Sequence, residues 1–390
     1  MLVNQGKNPP TNTKKIKTKD KMKAIKFLFR TILILLIIAV LTIGGYIAYL
    51  QINYYRIDDN TELPVCNPRT ETVKIGKDYT VMTYNIGFGA YDHEFSFFMD
   101  KGRMNDGSEV NGTYGKAQSK EIVETNTHGA KSHIEKHSPD FCIMQEVDTA
   151  STRSFFINQR NIIESAFDDY CSVYGENFHS SYLCYPINDP HGSVRAGLLT
   201  LSRYKIDNAV RRSYPVDESF ITKFFDLDRC FVITRIPTNT NKELVLINSH
   251  MSAYDEGGLI RQQQLELLRN VLTEEYDKGN YVIVGGDFNH ALCGTVEAFA
   301  SQQQVPEWVS VMEDKEIPEH FRIVEASNIK DVPTCRSTDM PYTKGVNYTA
   351  VLDGFIVSDN IKAEAINYDA DFMYSDHNPV IMTFKLKVKS

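Results

Sequence analysis

The chain has 390 residues, 42% of them apolar, with 21 Tyr and 21 Phe, which is enough for a sizeable core. Its net charge of −8 is unevenly placed, because the first thirty residues hold eight Lys and one Arg against one Asp, leaving residues 31–390 strongly acidic. That acidity disfavours nonspecific DNA or RNA binding, which depends on neutralising phosphates, although a local basic groove stays open.

Residues 1–30 read as a basic cytoplasmic tail. Residues 31–50, "TILILLIIAVLTIGGYIAYL", run without a charge and are long enough to span a bilayer as a helix. The Lys-rich flank on the amino side places the rest of the chain outside the cytoplasm, with residues 31–50 as a single-pass signal anchor in the cell membrane. A cleaved signal peptide is the competing reading, but its n-region would be unusually long and no clean small-x-small site follows. Residues 51–76 are polar and read as a stalk, and residues 77–390 as one globular domain.

Within that domain strand-like and helix-like stretches alternate. Strands are expected over residues 79–85, 140–146, 196–202, 230–236, 243–250, 281–286, 351–358 and 379–388, and helices over residues 116–137 and 258–276. Between them, residues 87–115 mix aromatics with Gly, Asn and Asp. A loop this long is usually functional or disordered. Its Phe95, Phe97 and Phe98 are expected to cap a site, touch lipid or cover a core edge. Seven cysteines, with no C-x-x-C pair, outline neither a zinc site nor a disulfide framework, and Cys142 and Cys230 lie in apolar runs that suit buried hydrophobes. Asn111 and Asn347 open glycosylation sequons, which matter only in a cell that uses them.

Several strands finish on residues that chemistry can use. The run "YVIVGGDFN" suits a buried strand, then a sharp turn at Gly285 and Gly286, with Asp287 and Asn289 where the strand ends. Ligands of α/β sheets bind at such carboxyl ends, although an Asx turn explains the pair as well on this stretch alone. Asn85, Glu146 and His250 end three other strands, and Asp376 and His377 stand just before the last. Oxygen donors such as Glu, Asp and Asn suit Mg²⁺ better than zinc. His and Asp beside a cation are a kit for hydrolysing phosphate esters.

The ordered set "TYN…QEV…NSH…GGDFN…LDGFIV…SDHNP" closely resembles the endonuclease/exonuclease/phosphatase superfamily over residues 79–386. Its members include DNase I-like nucleases, exonuclease III-like repair enzymes, neutral sphingomyelinases and inositol polyphosphate 5-phosphatases. The resemblance implies a four-layer α/β sandwich, two packed mixed β-sheets flanked by helices. It implies Glu146, Asn85 and Asp376 around Mg²⁺ (or Mn²⁺), Asp287 positioning or activating the attacking water, and Asn289 contacting phosphate. It implies His377 as the catalytic His, sharing the role of base with Asp287, and Asp353 as the carboxylate that orients it, fixing its tautomer much as in a triad. His250 matches the His of DNase I-like and sphingomyelinase-like members. Gly87 stands where repair enzymes carry an acidic residue. Arg195 is a candidate phosphate contact, for which a surface ion pair is the alternative.

The function expected is in-line attack of water on a phosphodiester, with Mg²⁺ and polar donors stabilising the added charge. The anchor and the acidity favour a lipid headgroup or small phosphodiester over nucleic acid. A DNase I-like extracytoplasmic nuclease is the second reading, drawing on Arg153, Arg160, Arg203, Arg211 and Arg212. The third is a catalytically inactive binding protein, which the complete set of Glu, Asp and His positions disfavours. Fold alone does not choose the substrate.

Overall fold

Along the strand Phe141–Asp148, alternate side chains enter two different cores. Phe141 and Ile143 join one apolar cluster, and Cys142 and Met144 join another. A strand buried on both faces reads as a continuous apolar run, and its period of two sorts that run between the layers. The computed structural model describes residues 12–253 and 258–388 of the chain, and it divides into two compact units, residues 1–54 and 55–390.

The first unit is helix α1 (Asn12–Asn53), whose stretch Lys21–Asn53 is long and apolar enough to cross a membrane. The expected span, residues 31–50, lies inside it.

The second unit is an α/β sandwich of two seven-stranded mixed sheets. In one sheet, Asp78–Asn85 runs parallel to Phe141–Asp148 and antiparallel to Val380–Leu386. In the other, Glu243–His250 runs parallel to Tyr281–Asp287, which pairs antiparallel with Asp353–Ser358. The large cluster between the sheets takes Val81, Ile143, Leu246, Ile283 and Phe355. Helices α2 (Lys120–His137) and α3 (Gln159–Ala166) cover the outer face of the first sheet through Ile134, Ile163 and Phe167. Helix α4 (Leu259–Asp277) covers the second through Leu265, Leu268 and Leu272. Each fully buried Leu or Ile here contributes about 1.5–3 kcal/mol by removal from water.

A buried polar clamp joins the sheets beneath their carboxyl ends. Gln145 Nε2 donates to Asn248 Oδ1 at 2.8 Å, and Asn248 Nδ2 donates to the carbonyls of Met144 and Leu199, each at 3.1 Å. These bonds cost little only in one alignment of the sheets, so they fix the register of Glu146 against His250.

Three expectations change. Residues 55–76 are not a stalk: Thr61–Glu62 pairs with Asn208–Ser213, Val65–Cys66 pairs with Cys171–Leu183, and Val73 is fully buried between the sheets. Two-residue edge strands are too short to show a period. The strands Cys171–Leu183, Asn208–Ser213 and Ile361–Asn367 and helix α3 were not expected. The first of them buries Ser172, Asn177 and Ser180 and breaks register twice, so its alternation is masked. Finally, residues 87–115 are ordered around a hairpin of Lys101–Arg103 and Glu109–Asn111. Phe95 is buried against Phe88 and Tyr91 as a core edge, whereas Phe97 and Phe98 line a cleft.

Candidate active site

Glu146 sits on a β-bulge, where the pairing of Phe141–Asp148 with Gly192–Ser202 shifts between Met144 and Val147, and its φ is 54°. A bulge re-aims one side chain without ending the strand, and a positive φ on a Glu is strain that the surrounding pairing must hold. At the end of the neighbouring sheet, Gly286 has φ 143°, and a Cβ there would lie 1.9 Å from the Ser249 carbonyl oxygen. Only glycine lets Tyr281–Asp287 stay paired to Glu243–His250 up to His250 and Asp287, which are register partners. Asp353 pairs with Asp287 from the other side. The short loop that carries His377 is tied down by Ser375, whose Oγ donates to the Asn85 carbonyl and accepts the His377 N–H.

These placements bring the polar side chains into one cluster at the base of a cleft of ≈ 880 Å³. His377 Nδ1 lies 2.7 Å from Asp353 Oδ2, and both residues are buried. On the other side of the ring, His377 Nε2 is 3.6 Å from Asp287 Oδ2 and 4.0 Å from Asp376 Oδ2. His250 Nε2 is also 3.6 Å from Asp287 Oδ2, and its buried Nδ1 has no protein partner. The two histidines take opposite charge states. Burial alone would lower His377, but Asp353, Cys335, Asp287 and Asp376 outweigh it and hold the ring well above its ordinary range, as an imidazolium. Burial, reinforced by Arg229 and His377, holds His250 well below that range, as a neutral ring. Asp287 therefore stands between one charged and one neutral imidazole.

Asn85 donates its Nδ2 to Asp287 Oδ2 at 3.0 Å and to Glu146 Oε1 at 3.4 Å, while its Oδ1 accepts the Gly87 N–H. The amide thus ties the Asp287 and Glu146 carboxylates together through its nitrogen and the Gly87 N–H through its oxygen. Asn289 lines the cleft with φ 50°, its N–H on Asp287 Oδ1 and its Nδ2 on the Met251 carbonyl. Gly87 packs so tightly that a Cβ would meet Asp376 Oδ1 at 2.8 Å, which explains the lack of a side chain there.

Two groupings can be weighed as cation sites. Asp287, Asp353 and His377 bring ligand atoms within 4.8 Å of one another. Asp353 and His377 already spend those atoms on each other, and a hard cation prefers oxygen to an imidazolium, so this trio suits a cation less than its spacing suggests. Glu146 and Asp376 fit a cation better. Both line the cleft, with side chains 24% and 15% exposed, and burial raises both carboxyls above the usual range, helped by the like charge of Asp376 on Glu146 and of Asp287 on Asp376. A divalent cation between them would relieve that cost.

Arg195 is the predicted residue that the structure does not bring to the cluster. It pairs with Glu176 at 3.6 Å, is half exposed, and lines a separate cavity of ≈ 550 Å³. In the strand Gly192–Ser202 it lies on the side that faces Glu176 rather than the cleft, in an ion pair. The cleft instead contains Arg153, Arg229 and Arg336, all buried. Arg153 Nε and Nη2 bind Asp148 at 3.1 and 2.8 Å, and its guanidinium lies 3.9 Å over the Phe88 ring. Arg336 Nη2 donates to the Asp92 carbonyl at 2.8 Å, and its Nε is buried without a partner. Arg229 and Arg336 escaped the sequence reading; their position at strand starts, in "DRCFV" and "TCRS", was the available signal.

A family model described as "Endonuclease/Exonuclease/phosphatase family" matches residues 82–377. The chain belongs to this endonuclease/exonuclease/phosphatase family. Members hydrolyse phosphoester bonds and generally use divalent metals, and the matched span includes Glu146, His250, Asp287, Asp353 and His377. Among solved structures, a Beutenbergia cavernae endonuclease/exonuclease/phosphatase is similar with 15% identity and a TM-score of 0.50, covering 80% of this chain and 72% of its own. Truncated Caenorhabditis elegans TDP2 matches with 14% identity and a TM-score of 0.48, covering 80% of this chain and 99% of its own. ANGEL2, described as a 2′,3′-cyclic phosphatase, matches with 13% identity and a TM-score of 0.47, over 84% and 99%. No curated protein sequence matches. The Beutenbergia likeness, at 15% identity, speaks for the fold alone.

Proposed function

We propose that this member of the family is a membrane-anchored, divalent-metal-dependent phosphodiesterase that hydrolyses a lipid headgroup or another small phosphodiester. The observation that carries the reading is the line Asp353–His377–Asp287, with one imidazolium and one neutral imidazole on the same carboxylate, at the base of a cleft beside Glu146 and Asp376. Asp287 Oδ2 takes the proton of a water placed for in-line attack. His377 Nε2–H donates to the phosphoryl oxygens, and its charge, held by Asp353, offsets the negative charge gained in the transition state. His250, neutral and with a free Nδ1, contacts the phosphoryl group or the leaving oxygen without adding a second positive charge. Glu146 and Asp376 would hold Mg²⁺ or Mn²⁺, which supplies Lewis-acid stabilisation of phosphoryl oxygen. The cleft's walls are aromatic and aliphatic, through Phe97, Phe98, Phe178, Leu227 and Trp308, which suits a substrate with an apolar part. Helix α1 is read as the anchor, with residues 1–30 in the cytoplasm.

The test is turnover by the full-length chain in detergent on a panel of sphingomyelin, phosphatidylinositol lipids, plasmid DNA and a chromogenic diester. Preference for a lipid by at least tenfold supports the proposal. Preference for DNA, with the steep salt dependence of phosphate neutralisation, would replace it with the nuclease reading.

A further inference from the structure

Two loops at the mouth of the cleft expose large apolar side chains to solvent. The loop after Cys171–Leu183 carries Tyr185, 62% exposed, and Ile187, 87% exposed. The loop between Asn208–Ser213 and Cys230–Pro237 carries Phe220, 56% exposed, and Ile221, 70% exposed. Tyr185 and the nearby Phe225 line the cleft itself, and Tyr185 packs against Phe98 at 5.5 Å between ring centroids. Isolated surface apolars are ordinary, but clustering on the loops of one cleft marks an interaction surface.

The chain's own connectivity says what covers it. The charge-free stretch of α1, residues 31–50, ends at Leu50, and the second unit begins at Tyr55. The Tyr55 ring packs against that of His179, tilted by 31° with centroids 4.2 Å apart. Arg56 Nη1 binds Asp228 Oδ1 at 3.0 Å and the carbonyls of Asp226 and Leu227 at 3.3 and 3.2 Å. Asp226 and Leu227 also line the cleft, on the same loop as Phe220 and Ile221. Six residues of chain, from Leu50 to Arg56, span no more than about 22 Å, so a membrane left at Leu50 lies within that reach of the exposed loop's base. Charge does not drive the contact. The loop carries Asp217, Glu218, Asp226 and Asp228 against Lys223 and Arg229, so the contact rests on apolar insertion, with aromatic rings at headgroup depth.

We propose that the mouth of the catalytic cleft docks on the bilayer, with Ile187 and the Phe220–Ile221 tip inserted at the level of the headgroups. The substrate is then an amphiphile taken from that membrane, its phosphodiester reaching Asp287 and His377 while its apolar part follows the aromatic wall. This rests on the anchored phosphodiesterase reading above.

The test uses the full-length chain in phosphatidylcholine vesicles with and without brominated acyl chains. Trp308 is the native tryptophan and gives the baseline. Ile187→Trp and Phe220→Trp are each compared with Lys362→Trp. Lys362 pairs with Lys385, which pairs with Asp78, about 23 Å along the strand from Asn85 and the site. Added emission at 187 and 220 is expected to fall at least twofold in brominated vesicles, with none lost at 362. Equal emission in both vesicle types at 187 and 220 would overturn the docking, as would a dimer by light scattering that shields these positions from bromine. A second arm measures the Ile187→Asp/Ile221→Asp variant. Turnover of a vesicle-embedded lipid diester is expected to fall at least tenfold, with turnover of the soluble chromogenic diester unchanged. An equal rate on the embedded lipid would overturn the proposal. Quenching depends on no catalysis, so quenching without hydrolysis supports docking and sinks only the hydrolase reading, while hydrolysis without quenching does the reverse.

Discussion

Replacing Asp353 by Asn separates the chemistry of the site from its stability. The carboxylate holds His377 Nδ1 at 2.7 Å in a buried position, so its loss removes a charge-assisted hydrogen bond worth about 1.5–3 kcal/mol. It also removes a full charge near the imidazolium, worth up to about 4 kcal/mol at an effective dielectric of 20. Part of that loss is common to the ground state, so about 3–5 kcal/mol falls on the transition state, a fall in kcat of roughly 10²–10⁴-fold. Folding stability moves differently. Asp353 Oδ1 is buried without a partner, so a neutral amide relieves a desolvation cost while forfeiting the ion pair. Tm is expected to stay within a few degrees of the parent or rise. The assay is steady-state turnover of a chromogenic diester beside thermal unfolding of the same preparation. A kcat within tenfold of the parent would refute this role, and a large fall in Tm would show that Asp353 acts by holding the fold.

Glu146→Gln keeps the size of the side chain and removes its charge, so the Mg²⁺ concentration for half-maximal activity should rise at least tenfold in a metal titration, whereas EDTA should abolish turnover of the parent and Mg²⁺ or Mn²⁺ restore it. Gly286→Ala sets a methyl 1.9 Å from the Ser249 carbonyl oxygen; it should lower stability by about 2–4 kcal/mol in denaturant unfolding, and an unchanged midpoint would contradict the close strand approach. Glu275 should give an acid-labile increment of stability. Burial alone would raise its carboxyl, but Arg235, Lys278 and Asn280 outweigh this and lower it from 4.5 to about 2. The carboxylate's contribution, about 2–3 kcal/mol for a side chain only 4% exposed, is complete above about pH 5 and lost as the pH falls towards 2, and Glu275→Gln should remove that slope from unfolding measured across this range.

Much of the site was legible because strands that are buried on both faces stand out as apolar runs, and the residues that end those runs are the ones that converge. Asn85, His250 and Asp287 follow this rule, whereas Glu146, expected to end its strand, reaches the cluster from a bulge in a strand that runs on to Asp148. The orientation of the Asn85 amide and the partner of Arg195 were not legible. Which way an amide turns depends on the Gly87 N–H beside it, and whether an Arg faces the cleft or Glu176 depends on a strand's two faces, which are fixed by pairing with Cys171–Leu183. The Gln145–Asn248 clamp escaped for the same reason, since two amides from different sheets become partners only through packing. Residues 55–76 show a further limit: the edge strands Thr61–Glu62 and Val65–Cys66 are held by distant chain and carry no pattern of their own.

The most direct test of the central claim is hydrolysis of a chromogenic phosphodiester by the purified full-length chain with Mg²⁺, with EDTA, and as the His377→Ala variant. Turnover that EDTA abolishes and His377→Ala lowers by at least 10³-fold is the predicted result. Turnover that survives either treatment, or a parent protein inert on every diester offered, would contradict the assignment of this cluster as a metal-dependent phosphodiesterase site.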